Sequence, residues 1–159
     1  MESSIFWALL LTILPGTELR FGLPLIVLWS LEKGVSYWPF FFLVILVNIL
    51  VIPIVFFFLE FFHHHLMEWR VYHRTIGRFV ERKKKTAEKV EEKIYNLGYL
   101  ALALFVAIPF TGTGAYTGTL IAWILGLSKK KSFVAISLGV LASGLITLFA
   151  TLLTLGLFG

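Results

Sequence analysis

Four long apolar blocks make up most of the sequence, and two of them are interrupted near the middle. The second block (residues 37–62) carries no charge before Glu60, and the fourth (residues 132–158) carries none. A helix needs about 20 apolar residues to cross the hydrocarbon core of a bilayer. Each of these two blocks therefore predicts a transmembrane helix, whereas the first block (residues 3–31) and the third (residues 98–127) need another explanation.

The two interruptions are rich in residues that end a helix. Residues 15–20 read Pro-Gly-Thr-Glu-Leu-Arg, and residues 109–114 read Pro-Phe-Thr-Gly-Thr-Gly. Proline removes a backbone donor and clashes with the preceding turn, and glycine permits non-helical backbone. Apolar pieces of about 10 to 14 residues are typical of re-entrant segments. Each interrupted block is thus predicted to be a re-entrant hairpin of two short helices.

The composition agrees with a membrane protein. The 159 residues are 58% hydrophobic and 14% charged, with 16 Phe and no Cys, and the mean hydropathy is +0.90. Soluble domains are typically about 25% charged. Disulfides and thiolate metal sites are excluded by the lack of cysteine. The first residues lack the basic region of a signal peptide, so we expect the first block to belong to the mature protein.

The distribution of positive charge predicts the topology. Twelve of the 14 Lys and Arg residues lie in two clusters, nine between residues 63 and 96 and three at residues 129–131. Cytoplasmic loops carry an excess of Lys and Arg. Both clusters are cytoplasmic if the third block enters the membrane and returns. We therefore expect a multi-pass protein of the plasma membrane, with a cytoplasmic central loop and both termini outside.

The two halves of the chain resemble each other. Pro15 aligns with Pro109 and, after a two-residue insertion, Gly22 aligns with Gly118. The predicted fold is therefore an all-α integral membrane protein with an inverted repeat, in which each repeat is a re-entrant hairpin followed by a transmembrane helix. Residues 1–62 form the first repeat and residues 98–159 the second. Inverted repeats are typical of transporters with a substrate site near the bilayer midplane.

The segment between the halves, residues 63–97, has apolar residues at three- and four-residue spacing among basic ones. This pattern predicts an amphipathic helix at the cytoplasmic surface, and a solvated linker that only orients the protein is the alternative. Consecutive helix residues point about 100° apart, so His63–His65 do not predict a metal site. Nucleic acid is not an expected partner. The basic residues expected to contact anionic lipid are Arg82, Lys83, Lys84, Lys85, Lys129, Lys130 and Lys131.

Glu18 and Arg20 are the leading candidates for function, because an ionisable group inside a membrane is costly and usually functional. Glu18 is predicted to carry a proton, since burial disfavours a charged carboxylate. Arg20 stays charged and can bind either Glu18 or an anionic substrate through two hydrogen bonds. The alternative is an inert pair that only stabilises the tip of the hairpin.

The interruptions also predict a polar cavity, because non-helical backbone in a bilayer must be buried by protein or reached by water. Half-helices that begin near Phe21 and Ala115 would point their N-terminal amides into it, which favours an anionic group. For Asn48, helix–helix hydrogen bonding is an equal alternative. The further residues expected to line the cavity are Pro15, Gly16, Thr17, Asn48, Pro109, Thr111, Gly112, Thr113, Gly114 and Thr117.

Both interruptions resemble known motifs. Residues 15–25 (Pro-Gly-Thr-Glu-Leu-Arg-Phe-Gly-Leu-Pro-Leu) resemble the first motif of the small multi-drug export protein family, and residues 108–118 (Ile-Pro-Phe-Thr-Gly-Thr-Gly-Ala-Tyr-Thr-Gly) resemble its second. That family is similar to the wider DedA-like membrane proteins, which are linked to lipid flipping or scrambling and to proton-dependent functions. The resemblance implies paired re-entrant loops, with Glu18 and Arg20 in one tip and residues 108–118 opposite.

These patterns predict a small membrane transporter. The chain lacks a nucleophile–base pair, a phosphate loop and a dinucleotide motif, so neither an enzyme nor a cofactor is expected. The leading hypothesis is a proton-coupled transporter of a small or amphipathic anionic substrate. The alternatives are a lipid flippase or scramblase, and a membrane scaffold whose basic helix recruits partners. Two full spans give a thin wall around a cavity, so we also expect a homo-oligomer, with a dimer favoured.

Overall fold

The computed structural model describes residues 7–8, 10–12, 14, 17–66, 92–110 and 112–156, with backbone alone at 64–66 and 92–95. These residues lie in helices or in the short turns and connections between them, and none of them forms a strand. The all-α prediction is therefore confirmed over this part of the chain. The helices are α1 (Glu18–Glu32), α2 (Trp38–Leu66), α3 (Glu92–Ala107), α4 (Ala115–Ile124) and α5 (Lys129–Thr154).

The two longest helices, α2 and α5, are each long and apolar enough to cross a membrane. At 1.5 Å per residue, α5 is about 39 Å long, which exceeds the hydrocarbon core of about 30 Å. Large apolar side chains on their outer faces are exposed, with Phe57 of α2 at 67% and Leu138 of α5 at 57%. A helix in the core of a soluble protein would bury such side chains. The prediction of a membrane protein with transmembrane helices is confirmed.

Helices α2 and α5 run antiparallel. Near the end of α2, Glu60 pairs with Lys129 at the start of α5, with 2.6 Å between Nζ and Oε1. Near the start of α2, Ile45 packs against Gly144 in the later part of α5, where a Cβ on the glycine would meet the Ile45 side chain. We call the end of the bundle where Glu60 and Lys129 meet the basic end, and the other the opposite end.

Helix α3 begins at the basic end and packs along α5. The backbone N–H of Ser128 donates to the Tyr99 hydroxyl oxygen over 3.0 Å, beside the start of α5. Further along, a Cβ on Gly139 would lie 2.6 Å from the Ala103 carbonyl oxygen and 2.7 Å from Val106 Cβ. Small residues permit this close helix approach. The pairs 99 with 128 and 103 with 139 mean that α3 runs in the same direction as α5, away from the basic end.

Helix α4 turns back toward the basic end. Gly118, in its first half, packs against Val106 of α3. Near its end, the Trp123 ring makes an edge-to-face contact with His63 of α2, with 5.2 Å between centroids. The interruption between α3 and α4 therefore lies part-way along the length of the bundle, close to the level of Gly139. That level is about 15 Å along α5 from Lys129.

Helix α1 runs from the middle of the bundle to the opposite end. Near its end, the Trp29 ring packs edge-to-face on Phe40 at the start of α2, with 5.5 Å between centroids. The segment before the first interruption packs on α1, because a Cβ on Gly22 would lie 2.6 Å from the Ala8 carbonyl oxygen and overlap Thr12. Helix α1 contacts both α2 and α5.

The helix bounds differ from the expected ones at several places. Helix α1 begins at Glu18 rather than near Phe21, and α2 extends over Trp38–Leu66 rather than residues 37–62. Helix α5 begins at Lys129 rather than at residue 132, since lysine is a good helix former and the Ser132 N–H donates to the Ser128 carbonyl over 2.9 Å. The helix ends at Thr154, and Gly156 follows with φ +69°, a left-handed conformation that commonly terminates helices. Of the predicted linker helix, residues 67–91 lie outside the described residues, including Arg82, Lys83, Lys84 and Lys85.

Candidate functional site between the two interruptions

The two interruptions meet inside the bundle, and Arg20 joins them. Its guanidinium donates to the carbonyl oxygen of Thr113, to the Thr113 hydroxyl over 2.8 Å and to the Ile108 carbonyl over 3.3 Å. Irregular backbone inside a membrane leaves carbonyls without helical partners, and such groups must be satisfied by the protein. Arg20, the last residue of the first interruption and part of the first turn of α1, donates hydrogen bonds to these carbonyls.

Glu18 caps the start of α4. Its side chain is buried, with 5% exposed, and Oε2 accepts the N–H of Ala115 over 3.2 Å. The backbone N–H of Tyr116 also interacts with this carboxylate. The first N–H groups of a helix lack intrahelical partners and form the positive end of its dipole. The anion position that the sequence predicts at α4 is therefore occupied by the protein's own carboxylate.

Gly114 makes room for that carboxylate. A Cβ on residue 114 would overlap the Glu18 carboxyl group. The backbone of Gly114 is extended, with φ −139°, a conformation open to any residue, so the glycine is needed for space. Glu18 itself has φ +46°, a left-handed conformation that costs on the order of 1–3 kcal/mol for a bulky residue. Such strain persists only where the surrounding contacts hold it.

Glu18 and Arg20 do not form a direct ion pair in the described part of the chain, and each reaches across to the second interruption instead. Two positions apart on a helix, their side chains point in different directions. Arg20 Nε is buried and has no hydrogen-bond partner among the described residues. One guanidinium N–H therefore remains available for a further acceptor.

The other predicted residues take different positions. The Thr17 hydroxyl donates to the Leu11 carbonyl over 2.6 Å and thus gives a hydrogen-bond partner to a carbonyl in the segment before the first interruption. Asn48 is fully buried in α2, where Nδ2 donates to the Val44 carbonyl over 3.0 Å and Oδ1 has no partner among the described residues. Thr117 is half-buried in α4, and Pro109 and Gly112 are exposed. Pro15, Gly16 and Thr111 lie outside the described residues.

Four backbone groups complete the site: the N–H groups of Ala115 and Tyr116 and the carbonyls of Ile108 and Thr113. The sequence signals the two N–H groups, because the N-terminus of a half-helix inside a membrane is a favourable position for an anion. It does not signal that Glu18 is this anion. Among the described residues, no group of three or more His, Asp or Glu side chains could hold a metal ion.

Comparison with known proteins adds one finding. The model of the family described as "Putative small multi-drug export protein" matches residues 18–146, a range that begins at Glu18 and extends into α5. No curated protein and no solved structure matches the chain. The family match covers well over half of the sequence and includes the second half of the first interruption and all of the second interruption. The chain therefore belongs to the small multi-drug export protein family, as its two motifs had predicted.

Proposed function

We propose that the chain is a proton-coupled membrane transporter that moves a small or amphipathic anion through the contact between the two interruptions. The observation that carries the proposal is the position of Glu18. A buried carboxylate lies on the N-terminal amides of α4, where an anionic substrate group would otherwise bind. The carboxylate and the substrate therefore compete for the same donors.

Protonation of Glu18 decides this competition. A neutral carboxyl group makes a weaker hydrogen bond to Ala115 than a carboxylate does, so protonation frees the amides for the substrate. Arg20, with an N–H that has no partner in the described residues, supplies positive charge beside them. When the substrate leaves, Glu18 ionises and returns to Ala115. The anion and one proton thus travel together, in the direction set by their gradients.

An inverted repeat with re-entrant hairpins gives this contact access to both sides. In support, α1 and α4 each contact both long helices, α2 and α5. The aligned glycines Gly22 and Gly118 both lie where a Cβ would meet the preceding arm of the same half, at Thr12 and at Val106 respectively. With the basic end in the cytoplasm, single cysteines at Ser36 and Lys130 should label from opposite faces. Labelling from the same face would contradict this topology.

Proton coupling is tested in proteoliposomes that contain the pH dye pyranine. Taurocholate, below its micellar concentration, serves as the amphipathic anion, because its sulfonate stays charged and carries no proton by itself. Added outside, it should acidify the lumen with wild type and with Glu32→Gln, which removes an exposed carboxylate at the far end of the same helix. Glu18→Gln should abolish the acidification. Equal acidification by both variants would refute a proton role for Glu18.

A second candidate, a lipid flippase or scramblase, is favoured by the exposure of the second interruption. Ile108 is 59% exposed and Phe110 is 68% exposed, so a lipid headgroup could approach Arg20 from the side of the bundle. The same vesicles, loaded with a fluorescent phospholipid and bleached from outside with dithionite, decide between the two. If dithionite bleaches well beyond half of the fluorescence with wild type but only about half with Arg20→Ala, the protein is a lipid carrier. Bleaching that stops near half in wild type excludes movement of that lipid.

The third possibility, a scaffold, predicts that neither assay responds to Glu18. In that case, neutralising Arg82–Lys85 should abolish the biological function while Glu18→Gln changes nothing. The transporter and the lipid carrier predict the reverse pattern. The contrast between these two variants in cells therefore separates a scaffold from both kinds of carrier.

A further inference from the structure

Two grooves open on the outer surface at the basic end, away from the contact between the interruptions. One, of about 510 Å³, lies between α2 and α5 and is lined by aromatic side chains that include Phe56, Phe57 and Phe133. The other, of about 540 Å³, lies between α3 and α5 and includes Leu100 and Leu138. Both grooves are predominantly apolar and open to the surroundings.

The two grooves share a ridge. Lys130 and Val134 line both of them, and residues four apart lie on the same face of a helix. Val134 is 56% exposed and separates the grooves, while Lys130 stands at the basic end of the ridge. From Lys130 to Leu138 the ridge extends about 12 Å along the helix axis, which is close to the depth of one leaflet's hydrocarbon, about 15 Å.

The charge around the ridge is positive. Lys129 pairs with Glu60 across the first groove, and Lys131 lies over the Tyr99 ring, 5.9 Å from its centroid, at the second. Lys130 has neither an ion pair nor a hydrogen bond in the part of the chain that the structure describes. Among the described side chains, three lysines and one glutamate leave an excess of positive charge where both grooves begin.

From this arrangement we infer that the ridge binds a two-chain anionic phospholipid, with one acyl chain in each groove and the phosphate at Lys130. Two apolar grooves that diverge from one cation match a headgroup with two chains, and the excess positive charge selects an anionic headgroup. A second copy of the chain fits less well. A symmetric dimer contact brings the same patch of each subunit together, so two lysine clusters would face each other.

Native mass spectrometry of the detergent-solubilised protein tests the inference. The protein is mixed with equal amounts of phosphatidylglycerol and phosphatidylcholine, and the retained lipids are counted. Wild type should retain one phosphatidylglycerol in preference to phosphatidylcholine. Lys130→Gln removes the headgroup cation and should weaken that binding roughly fivefold, since one lysine near an anionic headgroup contributes about 1 kcal/mol. Val134→Phe fills the grooves and should displace the lipid.

Two matched variants control for charge and for bulk. Lys33→Gln removes an exposed lysine near the opposite end. Leu145→Phe enlarges a side chain on the same helix that is 54% exposed, away from both grooves. Both should retain phosphatidylglycerol as wild type does. The inference is overturned if Lys33→Gln weakens binding as much as Lys130→Gln, if phosphatidylcholine is retained equally well, or if Val134→Phe dissociates a dimer without changing lipid retention.

Discussion

Replacing Gly114 with alanine should displace the Glu18 carboxylate from Ala115, and the resulting loss of stability should depend on the presence of Glu18. The added Cβ occupies the position of the Glu18 carboxylate, so the carboxylate must leave Ala115. A bond between a charged acceptor and a buried N–H contributes about 1.5–3 kcal/mol. Alanine at the position that precedes a helix is less favourable than glycine by about 0.5 kcal/mol. The free energy of unfolding should therefore fall by about 2–3.5 kcal/mol.

The effect of Gly114→Ala should depend on whether Glu18 is present, and this dependence is the more specific part of the prediction. Glu18→Ala removes the same bond to Ala115 and should lower the free energy of unfolding by about 1.5–3 kcal/mol. Once the carboxylate is gone, Gly114→Ala has nothing to displace and should lower it by only about 0.5 kcal/mol more. The two changes are then far from additive, with a coupling energy of about 1.5–3 kcal/mol, as expected for residues in contact.

Equilibrium unfolding of the purified protein in mixed micelles gives these free energies, and thermal unfolding in detergent checks their order. For a chain of this size, about 1 kcal/mol shifts Tm by roughly 2–4 °C, so Gly114→Ala alone should lower Tm by about 4–14 °C. Glu32→Ala serves as the exposed carboxylate control. If the double variant loses the sum of the two single losses, Gly114 and Glu18 do not share a contact and the site as described is wrong.

Three further changes test the packing of the helices by the same unfolding measurement. Gly139→Ala should lower the free energy of unfolding by about 1–3 kcal/mol, since its Cβ would lie 2.6 Å from the Ala103 carbonyl oxygen. Gly98→Ala in helix α3, whose added Cβ would meet none of the described residues within 4 Å, should raise the free energy of unfolding by about 0.5–1 kcal/mol. Equal losses from the two changes would contradict close packing at Gly139. Asn48→Leu should raise stability by about 1–2 kcal/mol, because it removes a buried Oδ1 without a partner in the described residues. A large loss of stability would instead point to an acceptor role for Asn48.

The sequence predicts the two long helices well, because these depend on local chemistry. Uninterrupted apolar runs become α2 and α5 since only a helix satisfies its own backbone in lipid. Pro15 and Pro109 mark the interruptions because proline lacks the backbone donor that a continuing helix needs. The start of α5 is less predictable. Apolar periodicity begins at residue 132, whereas the helix begins at Lys129, where helix propensity and not burial decides.

The partners of Glu18 and Arg20 could not be read from the sequence with the same certainty. Arg20 bonds to Thr113, 93 positions away, and Glu18 bonds to Ala115, 97 positions away. Local patterns identify a carboxylate without a partner and helix amides without an anion, but only the packing of α1 and α4 between the same two long helices brings them together. From the sequence alone, an ion pair between Glu18 and Arg20 remains an alternative. In the structure, both side chains instead bind backbone groups at the second interruption.

The position of Glu18 has a consequence for how strongly any substrate can bind. In lipid the amides at the start of α4 need an acceptor at every stage of a transport cycle, and in the resting arrangement the carboxylate is that acceptor. On the proposed mechanism, a substrate therefore gains only the difference between its own interaction with these amides and that of Glu18. Protonation weakens the interaction between Glu18 and the amides, so substrate binding should strengthen where protons are abundant and weaken where they are scarce. An anion that binds equally well with Glu18 charged or neutral would not be coupled to protons at all, because a ligand shifts an equilibrium only by its differential affinity for the two states.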